Sequence, residues 1–151
     1  MKKSSIILII IGILIVLFGS ILIGSYNKMV TSKENVTTSY SNLDVMLQRR
    51  ADLIPNLVNI VKGYTSHENE VIDKITKARE NLMKASSIDD KAKANEELTN
   101  GLNALLVVVE NYPDLKSSAN FTQLSDELAG TENRISTARR DYNNSVKEYN
   151  L

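Results

Sequence analysis

The chain has one histidine, no cysteine and no tryptophan, and these counts bound its chemistry before any fold is considered. His67-Glu68 matches the first two positions of the zinc-protease motif H-E-x-x-H, but position 71 is valine, so the second imidazole at helical spacing is absent. A carboxylate-bridged di-iron bundle needs Glu-x-x-His twice, which a single histidine cannot supply. Without cysteine there are no disulfides, no thiolate metal sites and no thiol to carry a lipid. The acid pairs Asp89-Asp90 and Glu96-Glu97 read as a polar helix face and as favourable charge near a helix N-terminus, not as a cation site. Serines are plentiful, but no nucleophile motif surrounds them. A formal net charge of zero lacks the electrostatic footprint of a nucleic-acid binder. The residues therefore predict no catalysis, no metal, no cofactor and no nucleic-acid partner.

Three polar groups remain to be placed. Arg49-Arg50 lie just before Pro55. One reading pairs an arginine with an acid on the last helix, Glu132 or Asp141, and so fixes helix register. The other has the pair contact lipid phosphates or an acidic partner. Asn56, next to Pro55, is suited to satisfy a backbone carbonyl that the proline frees. In Tyr112-Pro113-Asp114, the proline and aspartate are turn chemistry, and a loop between helices is also a docking point. Arg49, Arg50, Tyr112, Pro113 and Asp114 are accordingly the candidate contacts to a partner or to lipid.

The element that positions all of these is an apolar run from Ile6 to Ile23, broken only by Gly12, Gly19 and Ser20. About 18 helical residues rise roughly 27 Å, close to the hydrocarbon thickness of a bilayer. The core of a signal peptide is shorter, about 7–15 residues, and ends in a small-x-small site that Gly24-Ser25 matches poorly. Residues 1–25 are thus expected to form an uncleaved, single-pass membrane anchor. Lys2, Lys3 and the amino terminus precede the span, and Lys28 and Lys33 follow it. That bias favours a cytoplasmic N-terminus and a domain on the extracytoplasmic side.

Residues 26–151 suffice for one domain with a real core and are too few for two. Their apolar residues recur at three and four rather than two, which predicts an all-α domain. The first helix continues from the anchor with the stripe Val36, Tyr40, Leu43, Leu47, Ile54, Leu57, Val58, Val61 and Tyr64. Pro55 is expected to kink or break it near Asp52. Thr65 and Glu68 have capping-box spacing for a second helix carrying Val71, Ile72, Ile75, Ala78, Leu82 and Met83. Ser87 and Asp90 are suited to cap a third, whose five consecutive apolar residues Leu105–Val109 cannot all fit a narrow stripe: the turn is either buried on most sides or faces a partner with part of its surface. A fourth, with Asn120 as its expected cap, has a heptad seam through Phe121, Leu124, Leu128, Thr131, Ile135, Ala138, Tyr142, Ser145 and Tyr149. Short loops between four amphipathic helices predict an antiparallel four-helix bundle with a long first helix, held close to the membrane surface.

Three strings carry a family resemblance: LQRRADLIPNLVNIVKGY from Leu47 to Tyr64, VENYPDLK from Val109 to Lys116, and ELAGTENRISTARRDYNNSVKEYN from Glu127 to Asn150. With the N-terminal anchor they cover nearly the whole chain, and it resembles the LemA family of bacterial membrane proteins. The resemblance implies one transmembrane helix followed by a helical bundle, with no catalytic residue to carry over. It also implies an accessory role beside a membrane protease or another small membrane protein. Members of the family continue past the pair matching Tyr149-Asn150 with a further amphipathic stretch, whereas this sequence stops at Leu151. The end of the fourth helix is therefore expected to lack part of its cover. The expected function is a membrane-anchored, non-catalytic interaction module (adaptor, scaffold or regulator), the alternative being a self-associating envelope element that forms homo-oligomers.

Overall fold

A computed structural model describes residues 3–65 and 67–151, with side chains for 10–65 and 67–151. Lys2, on which the expected orientation partly rests, lies outside the described residues, as does the side chain of Lys3. The helices are α1 (Lys3–Tyr64), α2 (Asn69–Lys84), α3 (Ile88–Val109), the single turn α4 (Pro113–Lys116) and α5 (Ala119–Tyr149). The described residues contain no strand. The expected all-α architecture is present, with α4 as an addition inside the loop where Pro113 and Asp114 were read as turn residues.

Two compact units divide the chain: Ser41–Arg140, and Met1–Tyr40 with Asp141–Leu151. The anchor expected at residues 1–25 falls within the second of these.

The Ser41–Arg140 unit holds the core. Leu43, Leu47, Ile54, Leu57 and Val61 of α1 meet Ile72, Ile75, Ala78 and Leu82 of α2. Leu98, Leu105 and Val109 of α3, Leu115 of α4 and Phe121, Leu124, Leu128 and Ile135 of α5 complete the cluster. Burying each large apolar side chain contributes about 1.5–3 kcal/mol. Most helical stability in proteins comes from packing of an amphipathic face rather than from propensity, and the 16-residue α2 has such a face in Ile72, Ile75, Ala78 and Leu82.

Side-chain pairs fix the directions of the helices. Asp44 is ion-paired with Lys91, and Arg50 bonds Asn95, so partners on α3 advance with α1 and the two run parallel. Asn81 donates to Glu97, while a methyl at Gly101 would stand 3.0 Å from Ile75 Cγ1, so α2 and α3 run antiparallel and closely apposed. Arg50 reaches Glu132, whereas Ile60 shares a groove with Asn120 and Leu124, so α5 runs antiparallel to α1.

Three local expectations are corrected. Pro55 does not break α1, which is continuous from Lys3 to Tyr64. Thr65 does not cap α2; its hydroxyl donates back to the Val61 carbonyl at 3.1 Å, and Glu68 precedes the helix. Asn120 lies inside the first turn of α5, which starts at Ala119. The Ser87 cap forms as expected, with Asp90 N donating to its Oγ at 3.0 Å.

In the other unit, the apolar side chains of α1 from Ile10 to Ile23 are uncovered, and none of the helix's most apolar window is buried. A core helix of a soluble protein would be covered, whereas lipid is the solvent this surface fits. Near its Tyr40 boundary, Ser39 Oγ lies 2.8 Å from Ser145 Oγ, and the rings of Tyr40 and Tyr142 are 6.0 Å apart at 60°. Tyr149, on the expected seam, is exposed.

Candidate functional site

Heptad spacing places one charged side chain in the core. On α1 the buried positions Leu43, Leu47, Ile54, Leu57 and Val61 follow steps of four and three if Arg50 fills the gap between Leu47 and Ile54. Arg50 does fill it, and is only 3% exposed. Consecutive helical residues point about 100° apart, so Arg49 faces outward. There it lines an open groove with Asp126, Glu127 and Arg134 of α5.

Arg50 gathers groups from two other helices onto one nitrogen. Its Nη1 donates to Asn95 Oδ1 at 2.6 Å and to Thr99 Oγ1 at 3.0 Å, and lies 2.5 Å from Glu132 Oε2. Asn95 and Thr99 therefore accept hydrogen bonds from Nη1, Glu132 Oε2 stands against the same nitrogen as an ion pair, and neither that oxygen nor Arg50 Nε has a hydrogen-bond partner among the described residues. Thr99 Oγ1 in turn donates to the Asn95 carbonyl at 2.9 Å. Asn95 is itself buried on α3, and Thr131 is buried next to Glu132 on α5. Each of the three long stripes thus carries one polar residue in its buried face. Burial lowers the Arg50 guanidinium from its ordinary value, Glu132 beside it works in the opposite direction, and Arg139 adds to the lowering.

The arginine–acid pairing expected from sequence is the one with Glu132. Asn95 and Thr99 were not anticipated as its partners. The signal available was the seven-residue gap in the α1 stripe, which a heptad fills with position 50.

Asn56 is exposed and does not serve the proline. Pro55 leaves the Ala51 carbonyl without its helical donor, and Arg79 Nε of α2 fills that role at 2.8 Å.

Tyr112 precedes α4, Pro113 is its first residue, and Asp114 lies in its first turn. The Tyr112 hydroxyl donates to Glu68 Oε1 at 2.8 Å, tying the α3–α4 connection to the start of α2. That hydrogen bond raises the Tyr112 phenol above its ordinary value, with desolvation and the Glu68 charge adding to it. Pro113 and Asp114 are exposed.

The Leu105–Val109 run is not buried on most sides; part of it faces outward, as the second reading of the sequence has it. Leu105 and Val109 enter the core, but Leu106 is 49% and Val107 71% exposed. An α-helix cannot turn five consecutive side chains to one side, and α2 and α5 leave this flank of α3 open. His67, just before α2, is exposed, and the described residues contain no cluster of metal-ligating side chains.

Comparison with known proteins places this architecture. A magnetosome protein, MamQ 2, of Paramagnetospirillum magneticum is 32% identical over 95% of this chain and 63% of its own length. MamQ of Magnetospirillum gryphiswaldense is 26% identical over 91% of this chain and 60% of its own length. Protein LemA of Metamycoplasma hominis is 29% identical over 89% of this chain and 62% of its own length. The chain thus spans less than two thirds of each of these relatives. The family model for LemA matches residues 39–151, covering all of the bundle described above. This chain belongs to the LemA family.

Proposed function

We propose that the protein is a single-pass, membrane-anchored interaction module, with its bundle on the extracytoplasmic side, that acts by docking on another membrane or envelope protein rather than by catalysis. The observation that carries this reading is the apolar flank of α3. Leu106 and Val107 stand exposed on a helix whose neighbouring turns, through Leu105 and Val109, are fixed in the core. Such a surface is rigid and costs little ordering when a partner covers it. The uncovered apolar segment of α1 supports the anchor, and the lysine bias around it supports the orientation.

Sedimentation of the full chain extracted from its native membranes in mild detergent tests the docking. The wild type should migrate in an assembly larger than its own monomer. Val107→Asp, at an exposed position, should migrate as monomer with an unchanged unfolding temperature. A monomeric wild type would sink the reading, and an assembly made only of this chain would favour self-association in its place.

A further inference from the structure

A second feature of the bundle is a cleft of about 180 Å³ between α3 and α5, walled by Leu57, Leu102, Leu105, Leu106, Phe121 and Leu128. Its polar lining is Arg50, Thr99, Asn103, Ser125 and Glu132. Because α3 runs parallel to α1 and α5 antiparallel to it, Thr99 and Glu132 share one end of the cleft and Leu106 and Phe121 the other. From Thr99 to Leu106 the helix rises about 10 Å. The cleft is therefore elongated, with a polar end and an apolar end.

We propose that this cleft binds a small neutral amphiphile: a short straight apolar chain whose head group, an amide or a hydroxyl, both donates and accepts a hydrogen bond.

Three observations carry the assignment. The polar end holds a guanidinium and a carboxylate 2.5 Å apart, whose charges cancel. A charged head would leave one charge unbalanced beside an arginine that is 3% exposed, and burying an unbalanced charge is costly. The head must also answer both kinds of group. Among the described residues Arg50 Nε is a buried donor and Glu132 Oε2 a buried acceptor, each without a hydrogen-bond partner. Length and volume set the tail, since the space equals roughly six water volumes, which suits a chain of about six heavy atoms. Val107 does not line the cleft, so its substitution separates protein docking from ligand binding, whereas Leu106 belongs to both surfaces.

The test is photoaffinity labelling of the full chain in phosphatidylcholine liposomes with an alkyl amide that carries a diazirine on its chain. Labelled peptides should map to residues 99–106 and 121–132. Hexanamide should compete, with hexanoate and hexylammonium at least about tenfold weaker. Ala129→Phe, at an exposed residue beside the cleft, should cut this labelling at least about tenfold without loss of helix content. Should that variant not fold, Ser125→Phe makes the same comparison. Labelling confined to the apolar segment of α1, equal competition by the charged probes, or unchanged labelling of the filled cleft would each overturn the assignment.

Discussion

Arg79 Nε of α2 donates to the Ala51 carbonyl of α1 at 2.8 Å, and Ala51 is the residue whose helical donor Pro55 removes. An interior proline normally costs a helix about 3 kcal/mol. Here a neighbouring helix supplies the missing donor, and Ile54 and Leu57, on either side of the proline, are held in the core. That combination explains why α1 is uninterrupted where the sequence predicts a kink or a break. It also ties α2 to α1 at a fixed level.

Removing this donor should expose the dependence. Arg79→Ala is expected to destabilise the bundle by about 1–3 kcal/mol, because it leaves a carbonyl without a partner. In a Pro55→Ala background the restored backbone N–H takes over, and the same substitution should cost clearly less. Thermal unfolding of the four proteins of this cycle, followed by circular dichroism, measures the coupling. Equal costs in the two backgrounds would mean that Arg79 does not stand in for the lost donor.

The buried pair makes a second prediction. Glu132→Gln leaves Arg50 without its counter-charge. Breaking a fully buried pair costs about 3–5 kcal/mol, but Glu132 is 38% exposed, and solvent screening lowers the expectation to about 2 kcal/mol. Replacing both partners, as Arg50→Met with Glu132→Gln, should recover part of that loss, since no unpaired charge remains. Denaturant midpoints decide the matter, and a double variant weaker than Glu132→Gln alone would show that Arg50 is required for more than pairing.

Much of this arrangement was legible in the residues. The central parts of the stripes of α1, α2 and α5, the Ser87 cap and the pairing of an arginine with Glu132 follow from three-and-four periodicity and capping chemistry, whereas the last stripe residues Tyr64, Met83 and Tyr149 are exposed. Three features did not. Arg50 was read as a register pin or as a contact to lipid or an acidic partner, and its burial with Asn95 and Thr99 as further partners was not anticipated. The donor to Ala51 is distant in sequence, whereas Asn56 is adjacent to the proline, and local reasoning favours the neighbour. Five consecutive apolar residues signal that part of the Leu105–Val109 run faces outward, but that Leu106 and Val107 are the exposed ones depends on which helices flank α3, and no pattern within α3 states that.

A pH effect follows from Tyr112. Its phenol is raised above the ordinary tyrosine value chiefly by donating to Glu68. The folded protein therefore holds this proton more tightly than the unfolded chain does. The stabilisation is complete below the ordinary tyrosine range, near pH 10, and is lost as pH rises through the raised value. Spectroscopic phenolate titration, with Tyr112→Phe as the subtraction, should show ionisation later than an ordinary tyrosine. Glu68→Gln should bring it back toward the ordinary range. A Tyr112 that titrates identically with and without Glu68 would show that the bond does not persist in solution.

The central claim is that the apolar flank of α3 meets another protein at the membrane. It is tested most directly by placing a photo-crosslinking amino acid at Val107, with Lys93 on the polar, exposed part of the same helix as the control. After irradiation of intact cells, Val107 should yield one discrete protein adduct that the Lys93 position does not. Adducts of equal intensity at both positions, or adducts to lipid alone at Val107, would contradict the account.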